Sequence, residues 1–331
     1  MKRTERERLR LLLWLMGAAA FPGVAVAQAP GPLARVGVMW AGTTAGSAHL
    51  MRALVLGMKE AGFVQGENLA VQTIYAEGQP ARLKPFATEL VRTKVHVIFA
   101  AGNDAVEAAM QAAPSTPIVF ALTGDPVQLG FVKSLNRPGG NLTGTTLMIF
   151  DVMGKRVQIV REALPRAARL GVLYRAEEPT TPTVVPLVEQ TAKQLGMEIV
   201  KAAASQARDL EAAFAQLAAS RAEAVVVVDN PTFHGFRQAI VETALKHRLP
   251  TMHGNPEYSD LGGLLFYGTD LAESCRQAAR LVAKILRGSK PADTPVEQPT
   301  KFNFVVNLKT ARALGLTIPQ SILLRADRVI E

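Results

Sequence analysis

Residues 95–122, VHVIFAAGNDAVEAAMQAAPSTPIVFAL, contain two short apolar runs separated by an Ala-rich stretch. The runs at 95–100 and 117–122 are rich in β-branched and aromatic residues, which is typical of buried strands. Between them, Asn103 or Asp104 can cap a helix. A strand-helix-strand unit of this kind predicts a parallel sheet with helices on both of its faces.

The same alternation continues toward both ends of the chain. On the amino-terminal side it predicts strands at 35–40 and 69–75 and helices at 47–60 and 81–92. A turn-rich segment at 137–141 interrupts the pattern, after which a second array begins. That array has predicted strands at 170–174, 197–202, 224–228 and 249–252, with helices at 184–195, 209–220 and 236–246. The chain then adds a strand at 264–267, a helix at 271–286, a linker at 291–299 and a strand at 302–307.

The elements left over after the second array indicate that the chain passes between two lobes more than once. We therefore predict an α/β fold of two doubly wound parallel-sheet lobes joined by multiple crossovers. Lobe 1 would comprise residues 34–144 and about 265–300, and lobe 2 residues 145–264 and about 301–331. Loops at the carboxyl ends of the strands would line the cleft between the lobes, where ligands bind in such sheets. The alternative is a pair of independent domains joined once.

The first 27 residues have the three-part layout of a secretory signal. Residues 1–10 carry five basic and two acidic side chains, residues 11–21 are apolar, and Ala25-Val26-Ala27 offers small residues for cleavage. The apolar run is shorter than the roughly 20 residues that a membrane-spanning helix needs. We therefore predict a cleaved signal peptide and a periplasmic location, against the alternative of an uncleaved anchor helix. No cysteine lies near the cleavage point, which excludes a lipoprotein anchor.

The composition excludes several classes of function. The 331 residues include 37 Lys and Arg against 28 Asp and Glu, a net charge of +9, without a basic run or a nucleic-acid-binding motif. Aromatic residues make up 6 %, which argues against a platform for stacking nucleic acid bases. A single cysteine, Cys275, and five histidines exclude a disulfide framework and leave little for a metal site. Phosphate-loop, dinucleotide, nucleophile-elbow and zinc-protease motifs are missing, so we predict no enzyme, no cofactor and no metal.

Several polar side chains follow predicted strands and could reach a ligand. Asp125 could accept a ligand ammonium or hydroxyl group, or it could cap a helix that starts at Pro126. Asn103 and Asp104 face the same choice, and capping is the favoured interpretation for them. Burying a carboxylate without a partner is costly, so we expect Asp229 at the sheet edge or in the cleft. His253 could make binding pH-dependent, but a satisfied loop residue is the favoured interpretation. For Cys275, in a predicted helix, we expect an inert thiol.

Two aromatic residues end strands in the two predicted lobes. Trp40 ends the first strand, and Tyr174 ends the first strand of the second array. Facing rings from two lobes could enclose a flat or apolar group, and the alternative for Trp40 is core filling. The turn after Trp40 is small and hydroxyl-rich, and its backbone N–H groups could hold an anionic group at a helix N-terminus. Together with Asp125, this turn suits an α-amino acid.

The run at 123–144, TGDPVQLGFVKSLNRPGGNLTG, resembles a block of the ABC transporter substrate-binding proteins related to the tryptophan-binding type. The resemblance extends to RVGV at 35–38, GFVQGEN at 62–68 and ALGLTIP at 313–319. It implies a periplasmic-binding-protein-like fold of the three-crossover class, no catalysis, and a membrane permease of an ABC importer as partner. It also implies ligand contacts on the loops that contain Trp40, Asn103, Thr123, Asp125, Thr145, Thr146, Tyr174 and Asp229.

These observations predict an extracytoplasmic solute-binding protein of an ABC importer. It would be monomeric, bind no nucleic acid and capture a small molecule between its lobes. The favoured ligand is an amino acid, for which an aromatic or apolar side chain would also fit, and the alternatives are a small carboxylate, a nucleoside or a sugar. The lobes would close about the crossover strands near 142–146 and 262–264. One alternative is a ligand-sensing module of the same fold that signals to a receptor. Another is an exported α/β enzyme that uses Asp125 or Asp229 as acid or base.

Overall fold

The computed structural model describes residues 33–331. The predicted signal peptide, residues 1–27, lies outside this part of the chain. Among the helices of residues 33–331, none has both the length and the apolar character needed to cross a membrane. Each of the two predicted βα arrays forms a sheet with its own helices, and the two units are called lobe 1 and lobe 2 below.

Sheet 1 forms the centre of lobe 1 and is parallel throughout. Its strands are Ala34–Trp40 (β1), Leu69–Tyr75 (β2), Val97–Ala101 (β3), Ile118–Thr123 (β4) and Leu142–Thr146 (β5). They lie in the order β2-β1-β3-β4-β5. Helices alternate with them at Thr44–Glu60 (α1), Leu83–Arg92 (α2) and Asn103–Ala112 (α3). Every residue of β3 is buried, as predicted for a strand with helices on both faces of its sheet.

Sheet 2 forms the centre of lobe 2. Its strands are Arg169–Tyr174 (β6), Glu198–Ala203 (β7), Ala224–Val227 (β8), Thr251–His253 (β9), Leu265–Gly268 (β10), Asn303–Asn307 (β11) and Arg328–Ile330 (β12). They lie in the order β12-β11-β10-β9-β8-β6-β7, and β11 runs antiparallel to β10 while the other neighbours are parallel. The helices up to β10 are Ile149–Ala163 (α4), Thr181–Gln194 (α5), Leu210–Ala219 (α6), Pro231–Gly235 (α7), Arg237–Lys246 (α8) and Glu257–Asp260 (α9).

The chain passes between the lobes after β5, after β10 and before β11. The first crossing leads from β5 to α4 of lobe 2, and the second leads from β10 to Leu271–Leu286 (α10), which packs on α1, β4 and β5. The third crossing begins where Glu297 pairs with Thr145 and ends at β11. Leu308–Leu314 (α11) and Gln320–Leu323 (α12) complete lobe 2. Lobe 1 therefore comprises residues 34–146 and 271–297, and lobe 2 residues 149–268 and 303–330.

The structure corrects the predicted boundaries of the lobes. Residues 265–300 are predicted in lobe 1, but β10 pairs with β9 and β11 in sheet 2. The crossing follows β10, at the point where the Asp270 carboxylate caps α10 by accepting from two N–H groups of its first turn. A strand pattern does not reveal which sheet a strand joins, because an apolar run fits either one. At the first crossing, β5 places Thr145 and Thr146 in lobe 1 instead of lobe 2.

Hydroxyl side chains of β5 hold the crossing segments together. Thr143 Oγ1 donates at 2.7 Å to a carbonyl of the segment after α10. Thr145 Oγ1 lies 2.9 Å from Ser274 Oγ on α10, and Thr146 Oγ1 donates to Gly124 O at 2.6 Å. These buried bonds link β5 to α10 and to the loop after β4, so the crossings are anchored to one another at the edge of sheet 1.

The end of β4 departs from regular pairing. Its register with β5 shifts between Phe120 and Thr123, and Leu122 has a left-handed φ of 57°. An irregularity of this kind bends a strand and redirects its side chains. As a result, two consecutive residues, Leu122 and Thr123, both lie in the wall of the cavity between the lobes.

Candidate functional site

A cavity of about 100 Å³ lies between the two lobes. The carboxyl ends of β1, β3 and β4 form its wall in lobe 1, together with α1 and the start of α10. In lobe 2 the wall is formed by α4, by the loops after β6, β8 and β9, and by α7 and α9. This is the edge at which open α/β sheets bind ligands, because the loops after parallel strands converge there.

An ion pair lies in the lobe 2 wall. Asp229, which follows β8, accepts through Oδ2 from Arg156 Nη1 at 3.3 Å and from the Gly254 N–H. Arg156 on α4 is buried and also donates from Nε to Tyr267 O at 2.8 Å. The other carboxylate oxygen of Asp229, Oδ1, is buried and has no hydrogen-bond partner among residues 33–331. Burial raises the pKa of Asp229 to about 6, and Oδ1 is an acceptor that a cationic ligand group can satisfy.

A second charged cluster joins the lobes. Glu178, in the loop after β6, accepts through Oε1 from Asn103 Nδ2 at 2.8 Å, and Asn103 Oδ1 accepts from the Gly124 N–H at 3.2 Å. Arg175 Nη1 lies 3.4 Å from Glu178 Oε2 and 3.3 Å from Asp104 Oδ2. Burial raises the pKa of Glu178 to about 7, and the charge of Asp104 adds to that shift. This cluster connects the start of α3 in lobe 1 with lobe 2.

A third set of cross-lobe contacts involves two histidines. His49 of α1 lies 2.9 Å from Glu257 of α9, and His234 of α7 lies 3.5 Å from the same carboxylate. Potential metal-ligand atoms of these three side chains lie within 4.8 Å of one another. However, Asn255 donates to His234 Nδ1, which leaves Nε2–H to donate to a carbonyl of α1 at 2.9 Å, and Arg237 lies 2.8 Å from Glu257. Since the protein's own groups occupy these atoms, we interpret the set as an interlobe contact.

The remainder of the cavity wall is mainly apolar. Leu50, Leu122 and Leu271 contribute aliphatic side chains, and Trp40 contributes an indole ring. Trp40 is 1 % exposed and stacks on Tyr75 of its own lobe, with 6.4 Å between the ring centroids. Its Nε1 has no hydrogen-bond partner within the described part of the chain. The cavity thus combines a few charged groups with an apolar surface, as small-molecule pockets do.

Four of the eight predicted contact residues line the cavity: Trp40, Asn103, Thr123 and Asp229. Asn103 bonds across the cleft instead of capping α3. Thr123 is fully buried, and its Oγ1 donates to Thr145 O at 3.4 Å. The expectation that Asp229 lies at the cleft agrees with its place in the wall.

The other four predicted residues lie outside the wall that the structure describes. Asp125 Oδ1 accepts from the Val127 N–H at 2.8 Å and from the Gln128 N–H at 3.1 Å, so Asp125 caps the turn that follows it. Thr145 and Thr146 anchor the crossing, as described above. Tyr174 packs against the apolar core of lobe 2, where its ring is partly buried. Trp40 thus lies in the cavity wall and Tyr174 does not, and each ring packs within its own lobe.

Two further side chains behave as the sequence predicts. His253 stacks on Tyr258 with 4.0 Å between the ring centroids, and its Nε2 lies 2.7 Å from Thr251 Oγ1. Burial lowers the pKa of His253 to about 3, so this ring stays neutral at physiological pH. Cys275 is fully buried in α10, and burial raises its pKa, which makes the thiolate inaccessible.

The sequence patterns did not predict three titratable residues of the wall, Arg156, Glu178 and His234. α4 was not predicted, because its N-terminal flank is Met148 with a left-handed φ of 52° and no capping side chain. The available signal was the position of Arg156 on the apolar stripe of that segment, between Val152 and Val160. A charged residue on an otherwise apolar helical face indicates a buried partner.

Comparisons with known proteins agree with this architecture. Residues 45–330 match the family described as ABC transporter substrate binding protein. A tyrosine-binding protein of Clostridioides difficile is 24 % identical over 265 residues, which are 80 % of this chain and 76 % of that protein.

Two solved structures share the fold. A conserved domain protein from Vibrio cholerae has a TM-score of 0.83 at 26 % identity, covering 89 % of this chain and 99 % of that one. The ABC domain in complex with L-Trp from Streptococcus pneumonia has a TM-score of 0.82 at 24 % identity, covering 90 % and 100 %. The family binds solutes and is not a family of enzymes. Because the family match spans both lobes and all the crossings, the chain belongs to the ABC transporter substrate binding protein family.

Proposed function

We propose that this protein is the extracytoplasmic solute-binding component of an ABC importer and that it captures an α-amino acid with an aromatic or apolar side chain. One observation carries the proposal: in the interlobe cavity, a buried and unpartnered oxygen of Asp229 lies in the same wall as Arg156 and an apolar surface. Such a site suits reversible capture of a small molecule that carries both charged and apolar groups.

The charges of an α-amino acid match the ion pair in lobe 2. The ligand ammonium would donate to Asp229 Oδ1 and so relieve the desolvation of that oxygen. The turn after β1, from which we predicted the carboxylate contacts, uses part of its N–H groups internally. The Thr44 N–H donates to Glu77 Oε1 at 2.8 Å, and the Gly46 N–H donates to a threonine hydroxyl at 3.0 Å. We therefore assign the ligand carboxylate to Arg156, whose guanidinium is suited to carboxylates.

Two relatives support an aromatic side chain on the ligand. One is a tyrosine-binding protein, and the other was solved with L-Trp. In this chain, Trp40 and the four leucines of the wall (Leu50, Leu122, Leu147 and Leu271) would contact that side chain. L-Tyrosine and L-tryptophan are accordingly the first ligands to test. The family membership and the predicted signal peptide support the periplasmic location and the permease partner; the monomeric state is part of the same proposal.

Release of the ligand would require the lobes to separate about the crossings. The first two crossings lie at 147–148 and 269–270, a few residues beyond the hinges predicted at 142–146 and 262–264. The third crossing lies at 298–302. Opening would break the cross-lobe bonds, such as that between Asn103 and Glu178. The ligand would have to favour the closed state by its own contacts with both lobes.

Titration calorimetry with L-tyrosine, L-tryptophan, L-leucine and D-glucose tests the proposed ligand class. We expect at least one of the amino acids to bind, and at 100 times its Kd it should raise the free energy of unfolding by about 2.7 kcal/mol. Asp229→Asn should weaken that binding by about 10- to 100-fold, because a charge-assisted hydrogen bond contributes about 1.5–3 kcal/mol. Binding of glucose alone, or unchanged amino acid affinity in Asp229→Asn, would contradict the proposal.

Asp125→Ala separates capping from ligand contact. We expect the free energy of unfolding to fall by about 1 kcal/mol, because two N–H groups lose their acceptor. The affinity for the amino acid should stay within twofold of wild type, because Asp125 lies outside the cavity wall. Urea denaturation and calorimetry of the same variant measure both quantities. A tenfold weaker affinity at unchanged stability would return Asp125 to the binding site.

A further inference from the structure

Four side chains form a cross-lobe cluster: Asn103 and Asp104 at the start of α3, and Arg175 and Glu178 in the loop after β6. Glu178 is 3 % exposed and also lies in the cavity wall. Its Oε1 accepts from Asn103, while its Oε2 lies near Arg175 Nη1. The same Arg175 nitrogen lies 3.3 Å from Asp104 Oδ2. One guanidinium is therefore shared between two largely buried carboxylates from different lobes.

The neighbouring charges add to the negative excess. Glu107 lies one turn after Asp104 on α3, and its charge also raises the pKa of Glu178. Glu177, which precedes Glu178, is more exposed; it accepts from Ser205 Oγ and lies 3.7 Å from Arg175 Nε. Arg175 is thus the cation that faces two acidic side chains, Asp104 and Glu177, besides Glu178. With Glu178 ionised, the cluster holds a negative charge that no further cation of the cluster neutralises.

The burial of Glu178 depends on contact between the lobes. Asn103 and Asp104 of lobe 1 cover a carboxyl group that belongs to lobe 2. If the lobes separate, Glu178 returns to water, where a glutamate titrates near 4.3. In contact, both desolvation and the neighbouring anions favour the neutral carboxyl group. A protonated Glu178 still offers its carbonyl oxygen to Asn103 Nδ2, so the cross-lobe bond is kept.

We propose that Glu178 takes up a proton when the lobes close on a ligand, so that capture is tighter in mildly acidic than in alkaline medium. This inference rests on the proposed function and describes a regulation of the same site. Proton uptake removes the excess negative charge of the cross-lobe cluster at the moment the cluster is buried.

The direction and range of the effect follow from the pKa of Glu178. Burial, as the largest cause, raises it to about 7 when the lobes are in contact. A raised carboxyl pKa favours the closed state below that pH, and the advantage is lost as the pH rises through it. A shift from about 4.3 to about 7 makes the closing equilibrium about tenfold more favourable at pH 6 than at pH 8.

Two acidic neighbours respond in the same direction as Glu178, because burial raises the pKa of Asp104, and burial followed by the charge of Asp104 raises the pKa of Glu107. Other titratable groups at the cleft act differently. Burial raises the pKa of Asp229 to about 6, and its protonation would weaken the binding of an ammonium at lower pH, which is the opposite sign. Burial lowers the pKa of His234 to about 4, so it stays neutral above pH 6. The pair of His49 with Glu257 is unchanged by substitutions at Glu178. Comparing wild type with a variant of Glu178 at each pH therefore isolates the pH dependence of ligand affinity that Glu178 contributes.

The experiment compares wild type with Glu178→Gln in calorimetric titrations with L-tyrosine at pH 6, 7 and 8. Glutamine keeps the carbonyl acceptor for Asn103 but does not titrate. We expect the ratio of the wild-type Kd to the variant Kd to rise about tenfold from pH 6 to pH 8. In buffers of different ionisation enthalpy at pH 7, wild type should take up about half a proton per ligand and the variant none from this group. Glu177→Gln, the exposed neighbour, should follow wild type.

The outcomes separate this inference from the proposed function. A Kd ratio that is constant from pH 6 to pH 8, with both proteins binding L-tyrosine, overturns proton uptake and leaves amino acid capture standing. If L-tyrosine and the other amino acids bind at no pH, the proposed function fails and the ligand-free proteins decide. The fraction of ligand-free wild type with closed lobes, measured by small-angle X-ray scattering, should then be larger at pH 6 than at pH 8, and Glu178→Gln should lack this difference. The same pH response in both proteins overturns the inference.

Discussion

Replacing Gly254 by alanine is expected to lower the free energy of unfolding by about 3–5 kcal/mol at pH 8. The added Cβ would lie 1.8 Å from Arg156 Nη2 and 2.6 Å from Nη1, so the guanidinium would have to leave its place. Its departure breaks the bonds to Asp229 and to Tyr267 O and leaves the largely buried carboxylate of Asp229 without its cation. Removing one partner of a buried ion pair has an effect of this size. We also expect the variant to lose amino acid binding.

Gly154→Ala is the matched control for this substitution. Gly154 lies on α4, two residues before Arg156, and its added Cβ would approach Thr191 Oγ1 no closer than 3.8 Å. Alanine in a helix interior should stabilise the protein by about 0.5–1 kcal/mol. The loss in Gly254→Ala should be smaller at pH 5 than at pH 8, because protonation of Asp229 relieves its unpaired charge. A loss below about 1 kcal/mol at pH 8, measured by guanidinium chloride denaturation, would contradict the buried pair.

Gly144→Ala is expected to lower the free energy of unfolding by about 3 kcal/mol. The added Cβ would lie 2.1 Å from Phe120 O and 2.5 Å from Phe120 Cδ2. Phe120 O belongs to the backbone of β4, which is paired with β5 in sheet 1, so the clash is relieved only by separating these strands. Since the first crossing continues from β5, we expect ligand affinity to fall together with stability.

Gly140→Ala, four residues earlier, provides the comparison. Its added Cβ would meet no described atom within 4 Å, and its backbone has an ordinary φ. We expect this change to be neutral or slightly stabilising, because alanine restricts the unfolded chain. Thermal and urea unfolding of both variants measure the difference. Equal stabilities of Gly144→Ala and Gly140→Ala would show that β5 does not pair with β4 in this way.

Much of the fold could be predicted from the sequence, because its strands have a strong local signature. β2 at 69–75 and α10 at 271–286 agree with their predicted bounds, and most other strands agree within two residues. The short elements near the C-terminus were missed, since α12 and β12 span four and three residues and carry too few residues for a periodic pattern. The sheet that β10 joins was also missed, because pairing partners are decided by distant parts of the chain.

The binding site was predicted less completely, because the same type of side chain can fill either of two structural roles. A carboxylate after a strand can cap a turn or face the cleft: Asp125 does the first and Asp229 the second, although both follow apolar strands. The difference lies in Arg156, which reaches Asp229 from 73 residues away in the chain. Partners that come together only on folding leave no local pattern in the sequence.

In the proposed complex the ligand lies between the lobes with its ammonium on Asp229. A crystal structure of the protein with L-tyrosine decides whether it does. We expect the amino acid in the interlobe cavity, with its nitrogen within about 3.2 Å of Asp229 Oδ1 and its carboxylate on Arg156. A ligand bound outside this cavity, or one inside it whose ammonium contacts neither oxygen of Asp229, would overturn the proposed mode of binding.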